Sequence, residues 1–218
     1  SEVFYNVNSR KDLQILQSKN LTGLRESQGL SKNNNPEVSP KIYPNLLLIA
    51  GTGRKVGKTT LGCRLIEKVS KAHQVVGIKV SPHMHRQAPG QKVIAETQDY
   101  LIIEETNPEN GKDSSRMLRA GAHRVYYLQT RDRHIADPFE KLMKLIPENH
   151  PVVCESGALL GYARPGLFLL VKREGQTAFK KGVDQLSYKA DQWLVFDGEG
   201  FNPSPEKFNF DKDRWTIT

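Results

Sequence analysis

The chain has 218 residues, 37% of them hydrophobic and 26% charged, with a net charge of +8 at neutral pH. That length holds one α/β domain with an appendage, or two small domains, and the apolar content suffices for a core. Two cysteines, Cys63 and Cys154, exclude a disulfide scaffold, and the longest apolar runs, such as Leu46 to Ala50, are too short to span a bilayer.

The positive charge suits an anionic partner but is dispersed: residues 1–44 carry 6 Lys and Arg against 4 Asp and Glu. No stripe of interleaved aromatic and basic residues accompanies it, so nucleic acid is not an expected partner. Residues 1–10 have neither the basic start nor the apolar stretch of a secretory signal. These features predict a soluble cytoplasmic protein with buried free thiols and no membrane partner.

In chain order, residues 3–7 read as a short strand and residues 11–18 as one helical turn. Residues 27–44 are rich in Ser, Asn, Lys and Pro and read as a linker, since such a stretch buries too little to order itself. A strand over 45–50 then runs through a Gly-rich turn into a helix over 57–73. Strand 74–81 follows, then a loop containing Pro82, His83, His85, Pro89 and Gly90. Residues 92–95 and 100–105 read as two arms of a hairpin, and 113–120 as a short helix capped by Asp113 or Ser114.

Strand 124–130, helix 137–146, strands 151–155 and 167–172, helix 180–189 and strand 193–197 complete the pattern. Several strands (LLLIA, VVGIKV, PVVCE, LFLLV, WLVF) are apolar throughout, as strands buried on both faces are. Helices alternating with such strands predict an α/β fold: a mostly parallel sheet with helices on both faces, of the P-loop NTPase type, over residues 45–218.

The strongest chemical signal is the turn Gly51-Thr52-Gly53-Arg54-Lys55-Val56-Gly57-Lys58-Thr59-Thr60, placed between a strand and a helix. Its glycines let successive N–H groups point at phosphate oxygens, and the helix N-terminus adds partial positive charge there. Gly51, Thr52, Gly53, Lys55, Val56, Gly57, Lys58, Thr59 and Thr60 are therefore the candidate cradle for GTP or ATP. Lys58 is the mobile cation for the terminal phosphates, and the Thr59 hydroxyl is a candidate Mg²⁺ ligand. The spacing is one residue longer than usual, because Thr52 stands where the first glycine is expected.

A P-loop also needs a carboxylate near the metal at the end of a buried strand. Glu155, ending Pro151-Val152-Val153-Cys154-Glu155, fits that place as a Mg²⁺ ligand or as the group that polarises a nucleophile. His83 and His85 read as solvated loop residues or as contacts to an anionic substrate. With no Cys or third His beside them, a zinc site is not expected. Asp113 reads equally as a helix cap and as a Mg²⁺ or substrate contact. Lys172 and Arg173 end a late strand, and no Asn-Lys-x-Asp segment marks a guanine site. Trp193 and Trp215 read as packing residues.

The Gly-Thr-x-x-x-Val-Gly-Lys-Thr loop resembles that of dethiobiotin synthetase and its relatives. That likeness implies, as the alternative, an ATP-dependent ligase or kinase-like enzyme acting on a small acid. A wider resemblance rests on the P-loop, Gly77-Ile78-Lys79, the His loop, Lys112-Asp113-Ser114 with Arg116, Ala120-Gly121-Ala122 and the Glu155 strand. Over residues 45–160 this order resembles the molybdopterin-guanine dinucleotide biosynthesis protein B family. The departures are the longer P-loop, Ser156 where the family commonly has Gly, and a sparser His loop. The resemblance implies a dimeric GTP-binding accessory protein that uses Mg²⁺, hydrolyses GTP slowly, and assists the nucleotidyltransferase that attaches GMP to molybdopterin. Phe4 to Leu13 is similar to the closing segment of molybdenum cofactor nucleotidyltransferases, which makes residues 1–26 the expected tail of such a domain.

Overall fold

A computed structural model describes residues 40–84 and 92–218. The strand expected at 3–7, the helical turn at 11–18, the nucleotidyltransferase-like segment at 1–26, most of the linker and His85 lie outside the described residues. The described compact unit is Pro40–Thr218.

Strands β1 (Lys41–Gly51), β2 (Val76–Ser81), β3 (Lys92–Glu96), β4 (Tyr100–Glu104), β5 (Arg124–Thr130), β6 (Val152–Glu155), β7 (Ala163–Arg173), β8 (Gln192–Phe196) and β9 (Phe201–Asn202) form one sheet. Their order is β3-β4-β5-β2-β6-β1-β7-β8-β9. The stretch from β5 to β8 is parallel throughout. Antiparallel β3 and β4 extend one edge and β9 the other.

Alternate residues of the central strands feed two cores. Leu47 and Ile49 of β1 and Val153 of β6 face helix α1 (Lys58–Val69) and helix α2 (Asp113–Arg119). Leu46, Leu48 and Ala50 face the opposite side, against Phe139 and Leu142 of helix α3 (Ala136–Lys144) and Leu186 of the short helix α4 (Val183–Ser187). The expected architecture is therefore present: an α/β fold with a mostly parallel sheet covered by helices on both faces. In α1 the buried residues Leu61, Leu65, Ile66 and Val69 recur at helical spacing, so a single stripe seats the helix on the sheet. No helix among the described residues is long and apolar enough to cross a membrane.

Several boundaries differ from the pattern reading: α1 ends at Val69 rather than 73, and β7 begins at Ala163 rather than 167. Strand β1 starts at Lys41 rather than at 45, and Pro44 sits in the register shift between Tyr43 and Leu47. A bulge tolerates a residue that has no N–H to donate, and Gly166 provides the room, since a Cβ there would lie 2.0 Å from the Pro44 carbonyl oxygen. Tyr43 anchors the extension by packing edge-on against Phe139, with ring centroids 5.7 Å apart. The late helix expected over 180–189 is confined to α4, behind the left-handed Gly182. Finally, β10 (Phe208–Asp211) and β11 (Arg214–Ile217) form an unexpected hairpin. Its Phe208, Phe210 and Trp215 cover the α1 side of the core, and the Trp215 indole donates to the Asn45 carbonyl at 2.9 Å.

Candidate functional site

The predicted loop joins the end of β1 to the start of α1, at the edge where the parallel strands end. Gly51 closes β1 against its own loop: a Cβ there would lie 2.6 Å from Val56 Cγ2 and 2.9 Å from Lys58 Cδ. Gly57 immediately precedes α1 with φ +96°, and a Cβ on it would meet the Phe196 ring at 2.7 Å. Lys55 takes a left-handed turn, with φ +54°. Val56 is buried and pins the loop to the core.

The start of α1 is electrostatically unfinished. No side chain caps it, and its first turn carries no acidic residue. The orphan N–H groups of such a terminus and its partial positive charge are suited to an anion. Lys58, the first helical residue, turns back so that Nζ donates to the Gly53 carbonyl at 3.0 Å. Burial holds the Lys58 ammonium below the ordinary lysine range; Lys79 and Lys180 act in the same direction, while Glu155 opposes them.

Thr52 explains the extra residue of the loop. It is fully buried, and its N–H donates to the Val171 carbonyl at 2.9 Å. Its hydroxyl donates to Gln176 Oε1 at 2.7 Å, and its carbonyl accepts from the Lys180 N–H at 2.9 Å. The Gln176 amide in turn donates to the Ala178 carbonyl at 2.8 Å. The loop is thus laced to the segment after β7, where a glycine could offer no hydroxyl.

Glu155 ends β6 and is almost wholly buried. The register places it beside Ile49 of β1 and Lys79 of β2, so Glu155 and Lys79 are cross-strand neighbours on the α1 face. Its two oxygens are both engaged. Oε2 accepts from the Thr59 hydroxyl at 2.7 Å, and Oε1 from Lys79 Nζ at 2.7 Å. Lys79 Nζ also pairs with Asp113 Oδ2 at 2.9 Å. Burial alone would lower the Lys79 value, but the charge of Glu155 and its hydrogen bonds to both carboxylates outweigh it, so its ammonium is held above the ordinary range.

Asp113 reaches Lys79 because α2 packs closely on β2. Gly77 permits this, since a Cβ there would lie 3.3–3.4 Å from Met117 atoms. The capping expectation for this helix is corrected. Lys112 is the capping position, with no side-chain hydrogen bond, while Asp113 turns to Lys79 and the Ser114 hydroxyl donates to Glu105 at 2.7 Å. Burial opposes ionisation of Asp113, but Lys79 more than compensates and holds its carboxyl below the ordinary aspartate range. Arg116 lies 3.8 Å from Asp113 and donates to the Thr60 hydroxyl at 3.3 Å, so Thr60 faces α2.

Sequence reasoning located Thr59 and Glu155 and the structure joins them directly. It missed the bridging role of Lys79 and the tether formed by Gln176. A lysine inside the apolar run VVGIKV was the available signal for Lys79, because a charge on a strand buried on both faces needs a buried partner. His83 is exposed in the segment that follows β2. Arg173 places its guanidinium 5.9 Å from the Phe196 ring centroid, and Trp193 and Trp215 pack in the two cores.

The donors offered here are hard oxygens, the Thr59 hydroxyl and the Glu155 and Asp113 carboxylates, which fit Mg²⁺. Among the described residues no group of three or more His, Cys, Asp and Glu forms a self-sufficient metal cage. The fold and loop together define an α/β protein in which a glycine-containing turn between β1 and α1 is backed by a buried carboxylate. No protein-family model, curated protein or solved structure matches the chain.

Proposed function

We propose that this chain binds a nucleoside triphosphate with Mg²⁺, and that it serves as a GTP-binding accessory protein in molybdenum cofactor biosynthesis. The observation that carries the first part is the uncapped start of α1, with Lys58 beside it and Thr59 hydrogen-bonded to Glu155. The N–H groups from Gly53 to Thr60 receive the phosphates, and Lys58 moves from the Gly53 carbonyl to their oxygens. Thr59 and Glu155 would hold Mg²⁺, which when bound would supply positive charge to offset that developing on the phosphates.

Slow turnover is part of the reading. The molybdenum assignment is supported by position. Lys79 and Asp113, which carry the resemblance in sequence, join the cluster around Glu155. A homodimer, molybdopterin and a nucleotidyltransferase partner belong to the same proposal, as does a cytoplasmic location.

The longer loop favours a second reading, an ATP-dependent ligase or kinase-like enzyme acting on a small acid. Calorimetric titration with GTP and with ATP, each with Mg²⁺, separates the two. Preference for GTP supports the accessory protein, and preference for ATP supports the ligase. Lys58→Ala is expected to abolish binding of either nucleotide, and a variant that binds as the parent does overturns both readings.

A further inference from the structure

Lys79 occupies an unusual place for a side chain. Its ammonium lies 2.7 Å from one Glu155 oxygen and 2.9 Å from one Asp113 oxygen. Those two carboxylates come from different elements, the end of β6 and the start of α2, and Lys79 is the cation they share. The Lys79 side chain is four-fifths buried and that of Glu155 almost wholly so, which leaves water little part in neutralising the carboxylate.

We infer that Lys79 is a built-in cation that closes the metal position, so that a divalent ion enters only together with an anion that offsets its charge. Two cations a few ångströms apart in a partly buried site repel strongly. An ion bound to Glu155 therefore has to contend with the ammonium that already touches the same carboxylate. Lys58 lies close enough for its charge and those of Glu155, Lys79 and Asp113 to affect one another, and Arg116 adds a further positive group beside Asp113. The cluster thus holds more cationic side chains than carboxylates, and a bare metal ion would worsen that imbalance. A polyphosphate arriving at the α1 N-terminus reverses it. The inference rests on the nucleotide reading only for the identity of this anion; the closure itself is a property of Lys79, Glu155 and Asp113.

Mn²⁺ alone is the probe, read by electron paramagnetic resonance on the full chain with no nucleotide. The parent is expected to bind it weakly, and Lys79→Met at least about ten-fold more tightly, because one unit of positive charge has left the site. Lys79→Gln carries the same expectation while keeping a hydrogen-bond donor, and Lys79→Arg is expected to stay as weak as the parent. The gain must vanish in Lys79→Met combined with Glu155→Gln. Equal Mn²⁺ affinity in the parent and Lys79→Met overturns the inference, as does a gain that survives the loss of Glu155.

Should both neutral variants fail to fold, millimolar Mn²⁺ must restore folding, since the ion takes the place of the ammonium; failure to restore it is equally fatal. Adding inorganic tripolyphosphate to the parent is expected to raise its Mn²⁺ affinity beyond what the polyphosphate binds in free solution, and no such rise overturns the coupling. A parent that binds neither GTP nor ATP, with Mn²⁺ gained on loss of Lys79, would sink the nucleotide reading and leave the closed metal position standing.

Discussion

Gly57 offers a direct check on the conformation of the turn between β1 and α1. Alanine there meets two costs. Its φ of +96° lies where an L side chain is strained by roughly 1–2 kcal/mol. The new methyl would also lie 2.7 Å from the Phe196 ring, which cannot simply swing away because it stacks on Phe201 at 4.7 Å. Overpacking of that kind adds roughly 1–3 kcal/mol, for a total of about 2–5. In a domain of this size each kcal/mol moves the melting temperature by about 2–4 °C, so a fall of roughly 4–20 °C is expected. Two other glycines separate the contributions. Gly175, with φ +68° and nothing within 4 Å, isolates the backbone cost, and Gly161, with space around it and no left-handed φ, is expected to change by less than about 0.5 kcal/mol. Urea unfolding of the three alanine variants measures the series. If Gly57→Ala costs no more than Gly175→Ala, the contact with Phe196 does not exist and the loop is not wound as described.

Other consequences follow from the same cluster and core. Thr52→Val removes the hydroxyl that Gln176 accepts and is expected to cost about 1 kcal/mol by urea unfolding, with Gln176→Ala coupled to it in a double-mutant cycle; strictly additive losses would refute the tether. Asp113 has its carboxyl held below the usual 3.8, so it contributes stability that is present above that value and lost as pH falls through the lower folded value. Unfolding measured from about pH 5 downward should therefore lose stability more steeply in the parent than in Asp113→Asn, and identical slopes would refute the pairing with Lys79. Burial pushes the Cys154 thiol far above the ordinary range and raises that of half-buried Cys63 as well. A thiol-specific reagent should label Cys63 slowly in the native protein and Cys154 only on unfolding, whereas equal native rates would mean an open sheet.

The sheet was readable because its strands advertise burial on both faces. LLLIA, PVVCE and LFLLV have no polar alternation, and each became a central parallel strand between two layers. Boundaries were harder where one residue type has two meanings. Pro44 reads as a breaker, and only the three-dimensional approach of Gly166 shows that a bulge accommodates it. The terminal hairpin escaped because its strands are four residues each, too short for periodicity to speak. Its turn at Lys212 and Asp213, both with left-handed φ, carries no glycine to mark it.

At the site, what could be read was set by chain separation. The loop from Gly51 to Thr60 is contiguous, so its chemistry is written in one stretch. The pairing of Thr59 with Glu155 spans 96 residues, and was reachable only because a loop of this pattern carries the expectation of an acid at a strand end. The rule that a buried charge needs a partner marks Lys79 but not which groups answer it, since Glu155 and Asp113 come from another strand and a helix. Its position follows from register, with Lys79 opposite Glu155 across β2 and β6, and from Gly77, which lets Met117 settle and carries Asp113 within reach. The departure at Thr52 has the same kind of cause. A glycine in that place would free the loop, but a threonine joins it through Gln176 to the segment after β7, so the extra residue tightens the turn to its neighbour. A charge or hydroxyl that breaks a local pattern is, in this chain, the one whose partner lies on a different element.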